Sequence, residues 1–201
     1  MIRLTDIPET DYNDAIEVYT EAFSDDPLHI KLFPEIDERN RITRLFYEMM
    51  VREFVKGLNL QMKGVYENNI LAAALIYSRP DAYNWNDDMM NIIIDMRKKA
   101  NNENVNFVSE YTIKANEYKP KEEHIYLNEL AVGKNFRGRG YAKMLISDAE
   151  KDAVNFPGVG IIGLDTSNPL NSIIYKKLGY SIYMEFPFYG LRGYVMRKHL
   201  I

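Results

Sequence analysis

Residues 133 to 140, GKNFRGRG, constrain the fold of this chain most strongly. The segment holds three glycines and two arginines within eight residues. An apolar run, residues 125–132, comes before it, and apolar residues at helical spacing follow from Tyr141. A strand, a glycine loop and a helix in this order predict an α/β arrangement. The first turn of a helix leaves backbone N–H groups unpaired, so we expect the loop to bind an anion.

The composition limits what the rest of the chain can be. With 201 residues, 46% of them hydrophobic, the chain suits one domain with its own core. A net charge of −4 disfavours an extended nucleic-acid interface, and the lack of cysteine excludes disulfides, thiolate nucleophiles and Cys-based zinc sites. We find no signal-peptide pattern and no apolar run of the roughly 18 residues that a membrane span needs. We therefore expect a cytoplasmic protein with neither nucleic acid nor membrane as partner.

Apolar spacing and turn residues predict the order of the elements. Before the glycine loop we expect a strand, two helices, a hairpin of two strands and a further strand, at residues 2–7, 10–23, 37–56, 58–66, 70–77 and 124–132. A helical insertion at about residues 84–120 lies before the last of these. After the loop we expect a helix, a strand, a helix between the caps Asn168 and Gly179, and two strands, at residues 141–155, 160–166, 168–179, 181–186 and 194–198. This order predicts a mixed α/β sheet in a single domain, residues 1–201.

The glycine loop does not match two familiar phosphate-binding loops. A P-loop ends in Gly-Lys-Ser or Gly-Lys-Thr, but in this chain Arg139 and Gly140 follow Gly138. A Rossmann fingerprint that starts at Gly138 needs glycine or alanine where Lys143 stands. Residues 137–142 instead follow the pattern Arg/Gln-x-x-Gly-x-Gly/Ala.

This pattern resembles the acetyl-CoA loop of the GNAT superfamily of acyl-CoA-dependent N-acetyltransferases. A second stretch, residues 164–183, resembles the family's later motif, and the matching positions are Asn168, Tyr175, Lys177, Gly179 and Tyr180. The stretch departs from the family at Asn171, where many members have alanine. Together with AFSDDPL at residues 22–28, it is most similar to the puromycin N-acetyltransferase-like branch.

The resemblance implies a GNAT-like fold: a mixed, mostly antiparallel sheet flanked by helices, with a splayed cleft for acyl-CoA. Acetyl-CoA would be the cosubstrate. The resemblance further implies that the fourth strand, the glycine loop with the following helix, and the later motif bind it, through Leu130, Ala131, Val132, Arg137, Gly138, Arg139, Gly140, Tyr141, Ala142, Asn168, Asn171 and Tyr175. An ordinary surface turn with solvated arginines is the alternative for residues 137–140.

Two residues are candidates for acid–base catalysis. Tyr175 matches the tyrosine that in this family often protonates the leaving thiolate, and a packing role in the core is the alternative. Glu129 lies in a strand that we expect to be buried, where desolvation raises the pKa of a carboxyl toward that of a general base. Family members often have a base or a water-binding residue there, and a structural hydrogen bond is the alternative.

We therefore predict an N-acetyltransferase that transfers an acetyl group from acetyl-CoA to a primary amine by direct attack in a ternary complex. Without cysteine, a thiol acyl-enzyme is excluded. A non-catalytic CoA-binding regulatory module on the same fold is the alternative function. An RNA-binding Arg-Gly segment is disfavoured, because repeated units and a basic surplus are missing.

The sequence leaves the acceptor open between small-molecule and peptide amines, and the assembly open between monomer and homodimer. Asp25, Asp26, Asp87 and Asp88 are candidates for the acceptor pocket or for solvated caps, and Phe186, Phe188 and Tyr189 for that pocket or for the core. The three histidines have no metal-ligand spacing, so we expect no metal.

Overall fold

The structure of the protein is a computed structural model that describes residues 1–84 and 86–200. Within these ranges one sheet contains the strands β1 (Ile2–Asp6), β2 (Gln61–Glu67), β3 (Ile70–Ser78), β4 (His124–Val132), β5 (Ile161–Thr166), β6 (Ser181–Phe188) and β7 (Leu191–His199). Their order across the sheet is β1-β2-β3-β4-β5-β7-β6. Only the β4–β5 pair is parallel among the strand pairs of the described residues. The predicted mixed, mostly antiparallel sheet is confirmed.

The described helices are α1 (Tyr12–Phe23), α2 (Pro27–Leu32), α3 (Ile36–Met49), α4 (Val55–Gly57), α5 (Asp87–Ala100), α6 (Val105–Glu117), α7 (Tyr141–Asn155) and α8 (Pro169–Lys177). A π-helical segment, Met50–Phe54, connects α3 to α4. Short 3-10 turns lie at Glu9–Asp11 and Lys134–Phe136. In the ranges that the structure describes, none of the helices has the length and apolarity that crossing a bilayer requires.

The helices cover the two faces of the sheet in separate groups. On one face, which we call the α7 face, helix α7 packs against alternate residues of the two parallel strands, among them Leu127 and Leu164, and Tyr175 of α8 packs against the same cluster. On the other face, the α1 face, helices α1 and α3 pack against Ala74, Ile76 and Ala131. Helices α5 and α6 extend the α1 face over β6 and β7. Successive side chains of a strand point to opposite faces of the sheet, so alternate residues of each strand pack against different groups of helices.

The parallel strands separate halfway along β4. Their pairing ends at Leu127 opposite Leu164, although both strands continue. On its other edge β4 pairs with β3, where Glu129 lies opposite Ile76 and Leu127 opposite Tyr77, so Asn128 is an extra residue. Such a bulge bends a strand. The result is a gap between the ends of β4 and β5 that joins the two faces of the sheet, as the predicted splayed cleft requires.

Three predicted segments differ in the structure. The helix predicted at residues 10–23 ends at Phe23, but a second helix, α2, follows it, because the Asp26 side chain accepts the Leu28 amide at 2.9 Å and proline occupies the first helical position. Residues 58–60, predicted as strand, end the preceding helix, where Asn59 adopts a positive φ of 54°. The helical insertion predicted at about residues 84–120 is divided into α5 and α6, because Asn101 ends α5 with a positive φ of 48°.

The last hairpin is longer than predicted. Strand β6 continues to Phe188 and β7 begins at Leu191, so a two-residue turn connects them. The turn residues Tyr189 and Gly190 both have positive φ values, 44° and 73°. A turn of this kind matches the twist of paired strands and lets both strands run to its edge. The hairpin thereby places Phe186 and Phe188 against α6.

Candidate active site

The glycine loop, residues 133–140, holds its backbone close to the sheet and then opens toward solvent. The Gly133 amide donates to the Ala72 carbonyl oxygen at 3.0 Å. Gly138 and Gly140 have positive φ values of 77° and 82°, a region that favours glycine. A Cβ atom at either position would meet nothing within 4 Å, so the space in front of both is open.

Backbone donors face this open space. Among the described residues, none accepts a hydrogen bond from the amides of Gly138 or of residues 140–143. These amides include the first turn of α7, which also carries the positive end of the helix dipole. Exposed Arg137 and Lys143 add charge. Bare amides, space without side chains and positive charge together fit the diphosphate of a nucleotide.

The two arginines of the loop are bound differently. The Arg139 guanidinium donates to both carboxylate oxygens of Glu67, at 2.8 and 2.7 Å, and to the Asn135 carbonyl oxygen at 2.9 Å. Tyr141 donates its hydroxyl to the same carboxylate at 2.6 Å. Arg137 makes one long hydrogen bond of 3.4 Å, to the Val132 carbonyl oxygen. Arg139 therefore braces the loop against β2, whereas Arg137 is available to a ligand.

The gap between β4 and β5 continues from the loop. Leu130, Ala131 and Val132 pair with β3 on one edge, and their other edge faces the gap. The Asn128 side-chain oxygen at the bulge is buried without a hydrogen-bond partner in the described chain. The end of β4 thus presents backbone and amide groups to anything that enters the gap.

Tyr175 lies on the α7 face, packed against the cluster that includes Leu127 and Leu164, where the pairing of β4 and β5 ends. Its ring lies 6.0 Å from the Tyr180 ring, centroid to centroid, in an edge-on arrangement. No described residue hydrogen-bonds its hydroxyl. Burial is the largest cause of the raised pKa of Tyr175, and the negative charges of Asp165 and Glu129 raise this pKa further. The side chain therefore stays protonated at neutral pH beside the gap.

The two asparagines of the later motif have separate positions. The Asn168 side chain accepts the Leu170 amide at 3.0 Å and caps α8, as predicted. Gly179 follows the helix with a φ of 93°, also as predicted. Asn171 lies in the first turn of α8 and is half-buried.

Glu129 lies on the α1 face beside two tyrosines. The Tyr47 hydroxyl donates to its carboxylate at 2.9 Å, and the Tyr19 hydroxyl donates to its carbonyl oxygen at 3.4 Å. The rings of Tyr19 and Tyr47 stack at 4.9 Å. Burial raises the pKa of Glu129 to about 8, against the opposing hydrogen bond from Tyr47. A carboxyl with this pKa can accept a proton near neutral pH.

Two further carboxyls lie with Glu129. Asp165, at the end of β5, accepts the Tyr126 hydroxyl at 2.8 Å, and Asp26 accepts the Ser167 hydroxyl at 3.3 Å. Burial raises the pKa of each, and their charges in turn raise the pKa of Glu129. We call Asp26, Glu129 and Asp165 the carboxylate cluster.

Two packing features position this cluster. A Cβ atom on residue 163 would lie 3.0 Å from the Tyr126 ring, so glycine there makes room for the ring that reaches Asp165. The segment of Asp26 is held by Arg39, whose guanidinium donates to the carbonyl oxygens of Ser24 and Phe33, both at 2.8 Å. These bonds hold the α1–α3 connection against helix α3.

Sequence reasoning missed several residues of the site. Tyr47, Tyr126, Asp165 and Arg39 come from elements far apart in sequence, and no short motif contains them. Asp165 gave the only usable signal: like Glu129, it is a carboxylate within a predicted buried strand.

Other predicted candidates lie elsewhere. Asp25 forms an ion pair with Lys134 at 3.2 Å, and Asp87 and Asp88 are exposed in the first turn of α5. His29 is buried against the Thr43 hydroxyl, 2.8 Å away, and burial lowers its pKa to about 4. Throughout the described residues, no three acidic or histidine side chains are grouped to hold a metal ion.

Comparison with known families gives one match. The sequence model of the "Acetyltransferase (GNAT) family" matches residues 19–180, which include α1, the glycine loop and the motif of Asn168 and Tyr175. No curated protein matches the sequence.

Many solved structures share the fold. A structure described as histone acetyltransferase HPA2 and related acetyltransferase, from Corynebacterium glutamicum ATCC 13032, has a TM-score of 0.72 and 18% identity over 100% of this chain and 97% of that chain. Arylalkylamine N-acetyltransferase 2 from Aedes aegypti has a TM-score of 0.67 and 16% identity over 100% and 99%. The PaiA N-acetyltransferase from Thermoplasma acidophilum, in complex with coenzyme A, has a TM-score of 0.62 and 15% identity over 99% of each chain.

Proposed function

Because the chain belongs to the acetyltransferase (GNAT) family and is an acetyl-CoA-dependent N-acetyltransferase, we propose that it acetylates a primary amine by direct attack in a ternary complex. In this proposal residues 1–201 act as one catalytic domain. Glu129 is the general base and Tyr175 is the general acid. The observation that supports the proposal is that Glu129 lies on the α1 face just beyond the end of the β4–β5 pairing, while Tyr175 packs on the α7 face against Leu127 and Leu164, the last residues of that pairing.

The residues of the glycine loop suit the donor substrate. In the proposal the amides of Gly138 and residues 140–142 bind the diphosphate of coenzyme A, and Arg137 adds a charged contact. The edge of β4 at residues 130–132 binds the extended arm that leads to the thioester. Asn171 and Tyr175 line the opposite side, and Asn168 caps the helix that carries them. Acetyl-CoA supplies the acetyl group as a thioester.

The acid and the base divide the proton transfers between them. The amine nitrogen forms a bond to the thioester carbonyl carbon while the carbon–sulfur bond breaks. Glu129 accepts the proton that the amine loses, directly or through one water. Tyr175 donates its proton to the departing sulfur, so charge is balanced on both sides. A backbone amide near Leu130 polarises the carbonyl oxygen.

The carboxyl of Glu129 suits this role. A carboxylate with the ordinary pKa of 4.5 is a weak base toward an ammonium ion. The pKa of Glu129, about 8, is closer to that of an amine, so its carboxylate is a stronger base. The Tyr47 hydroxyl orients it, and burial keeps bulk water away. The high pKa of Tyr175 keeps the acid protonated at the same pH.

The test measures release of free coenzyme A thiol from acetyl-CoA with a panel of amines. We expect turnover with a primary amine and an approximately 10²-fold lower kcat in Tyr175→Phe, with little change in acetyl-CoA affinity. Tyr183→Phe, on the exposed part of β6, is the matched control and should keep wild-type turnover. If Tyr175→Phe kept the wild-type kcat, Tyr175 would have a packing role and would not be the general acid.

A further inference from the structure

Helix α7 is attached to the rest of the fold by three carboxylates of the same chemistry. Each accepts hydrogen bonds from one tyrosine hydroxyl and from one cationic side chain. They are Glu67 with Tyr141 and Arg139, Asp152 with Tyr77 and Arg79, and Glu150 with Tyr180 and Lys198. Asp152 and Glu150 belong to the C-terminal half of α7, so among these three only Glu67 holds the end of the helix that borders the glycine loop.

The bonds to Glu67 lie on both sides of Gly140. Arg139 comes directly before this glycine and donates to both carboxylate oxygens, at 2.8 and 2.7 Å, and Tyr141 comes directly after it and donates at 2.6 Å. Gly140 has a φ of 82° and no side chain that could cap α7. Because glycine has the freest backbone of all residues, Glu67 restrains the loop at a point where its conformational freedom is large.

The position of Glu67 is itself fixed by the sheet. Glu67 is the last residue of β2, and its backbone pairs with Ile2 of β1 and with Ile70 of β3. Its partner Tyr141, at the start of α7, is only 3% exposed. The Tyr141 hydrogen bond, and then the Arg139 guanidinium, hold the pKa of the Glu67 carboxyl below its ordinary value. The carboxylate is therefore charged and bound to both partners at neutral pH.

The charge of Glu67 has the wrong sign for direct contact with a phosphate. A carboxylate repels such an anion, and the two-bond pair with Arg139 offsets this negative charge. What Glu67 supplies to the loop is therefore geometry.

We propose that Glu67 is a positioning residue for coenzyme A, which acts through Arg139 and Tyr141 to hold the amides of Gly138 and residues 140–142 in their binding arrangement before the coenzyme arrives. A loop that is already ordered loses less entropy when its ligand binds, so the affinity is higher. This inference rests on the proposed function, because it concerns the same phosphate site.

Asp152 provides a matched control for a purely structural role. It accepts the Arg79 guanidinium at 2.7 and 2.8 Å and the Tyr77 hydroxyl at 3.0 Å. Its side chain is 22% exposed, as is that of Glu67. Asp152 lies about three turns further along α7 than the loop, so Asp152→Asn should destabilise the fold and leave the loop unchanged.

The first test titrates coenzyme A into the wild type and both variants by calorimetry. Glu67→Gln keeps the size of the side chain, removes its charge and weakens the bonds to both partners. We expect its dissociation constant for coenzyme A to rise about 3- to 10-fold, which corresponds to the cost of ordering one or two side chains. The KM for acetyl-CoA should rise equally, while kcat and the KM for the amine stay within about twofold of wild type. Asp152→Asn should lower Tm and keep the wild-type affinity.

Hydrogen exchange in the free protein tests the positioning without any ligand. The Met144 amide donates to the Gly140 carbonyl oxygen at 3.1 Å, so its exchange rate reports whether Gly140 keeps its place at the start of α7. We expect faster exchange of this amide in Glu67→Gln and an unchanged rate in Asp152→Asn. If Glu67→Gln does not fold, Tyr141→Phe removes one hydroxyl and one of the bonds, and it should also speed this exchange.

Wild-type affinity for coenzyme A in Glu67→Gln, an equal loss in Asp152→Asn, or an unchanged Met144 exchange rate would overturn the inference. Gly140→Asp separates this outcome from failure of the proposed function. Loss of coenzyme A binding in Gly140→Asp, with wild-type affinity in Glu67→Gln, would reject the positioning role alone. Wild-type affinity in both variants would reject the phosphate site itself.

Discussion

The glycine loop and the carboxylate cluster lie on opposite sides of the β4–β5 gap and are built in opposite ways. The loop is one continuous segment whose functional atoms are backbone amides, with positive charge around them. The cluster is assembled from three separate segments, and its functional atoms are the side-chain oxygens of carboxyl groups. One side suits an anion, and the other suits proton transfer with an amine.

This difference shows how the two substrates would be recognised. Backbone amides recognise a phosphate by position, so the same loop can serve every member of a family that shares the donor. Side chains from separate elements can change independently, so the acceptor side can differ between members. The contrast yields tests on each side of the gap, beginning with the one that should have the largest effect.

A side chain at Gly140 should have the largest effect. Gly140→Asp places a carboxylate in the open space before α7, where it would displace the diphosphate and repel it. If two charged hydrogen bonds are lost, the affinity for coenzyme A should fall by about 10²- to 10⁴-fold. Calorimetric titration measures the affinity, and circular dichroism checks the fold.

Gly140→Asn is the matched control for the charge. Both side chains require the positive φ of 82° and share a strain of about 1–2 kcal/mol, but asparagine carries no charge. We expect Gly140→Asn to bind coenzyme A more tightly than Gly140→Asp. A folded Gly140→Asp protein with wild-type affinity would refute the phosphate role of the loop.

On the opposite side of the gap, Glu129→Gln should lower the rate by roughly 10²-fold. A base with a pKa of about 8 must lose its proton before it acts, so wild-type kcat/KM should rise with pH through this value. The variant should lose this rise and keep only the rise caused by ionisation of the amine itself. Glu185→Gln, on the exposed edge strand β6, should keep the wild-type profile. An unchanged profile in Glu129→Gln would mean that the amine arrives already deprotonated.

The same substitution should change stability in a pH-dependent way. The folded pKa of Glu129 lies near 8 and its ordinary value is 4.5, so the folded state holds a proton that the unfolded chain releases between these values. Wild-type stability should therefore fall as pH rises through this window. Glutamine cannot ionise, so Glu129→Gln should gain stability relative to wild type from pH 5 to pH 9. One pKa unit corresponds to about 1.4 kcal/mol, or about 3–6 °C in Tm for a chain of this size. A constant Tm difference across this range would contradict the raised pKa.

The sequence predicted the local parts of the fold and of the site. Tyr141–Asn155 and the caps Asn168 and Gly179 were predicted because each depends on residues next to it in the chain. The errors arose where one signal allowed two outcomes. Asp26-Pro27 both ends a helix and starts one, and residues 58–60 are apolar enough for a strand although Asn59 ends a helix there.

The carboxylate cluster could not be predicted, because long-range packing creates it. Asp165 and Glu129 are 36 positions apart, and the pairing of β4 with β5 brings them together. The Arg39 guanidinium holds the segment of Asp26 by hydrogen bonds to the backbone carbonyl oxygens of Ser24 and Phe33. Any residue has such a carbonyl group, so the sequence does not reveal these bonds. The raised pKa of Glu129 was anticipated from its strand, but its partner Tyr47 lies on a helix 82 positions away.

The two arginines of the loop provide the finest test, with the smallest expected effect. Arg137 is exposed and makes one long hydrogen bond, whereas Arg139 is bound to Glu67 and Asn135. Arg137→Gln should therefore weaken coenzyme A binding by about tenfold, through loss of a charged contact, and should lessen its salt dependence. Arg139→Gln should change the affinity only a few-fold and should mainly lower Tm, because it frees the loop from β2. Titrations at two salt concentrations, with melting curves for both variants, measure these effects. A larger affinity loss in Arg139→Gln than in Arg137→Gln, without a lower Tm, would assign phosphate binding to Arg139 instead.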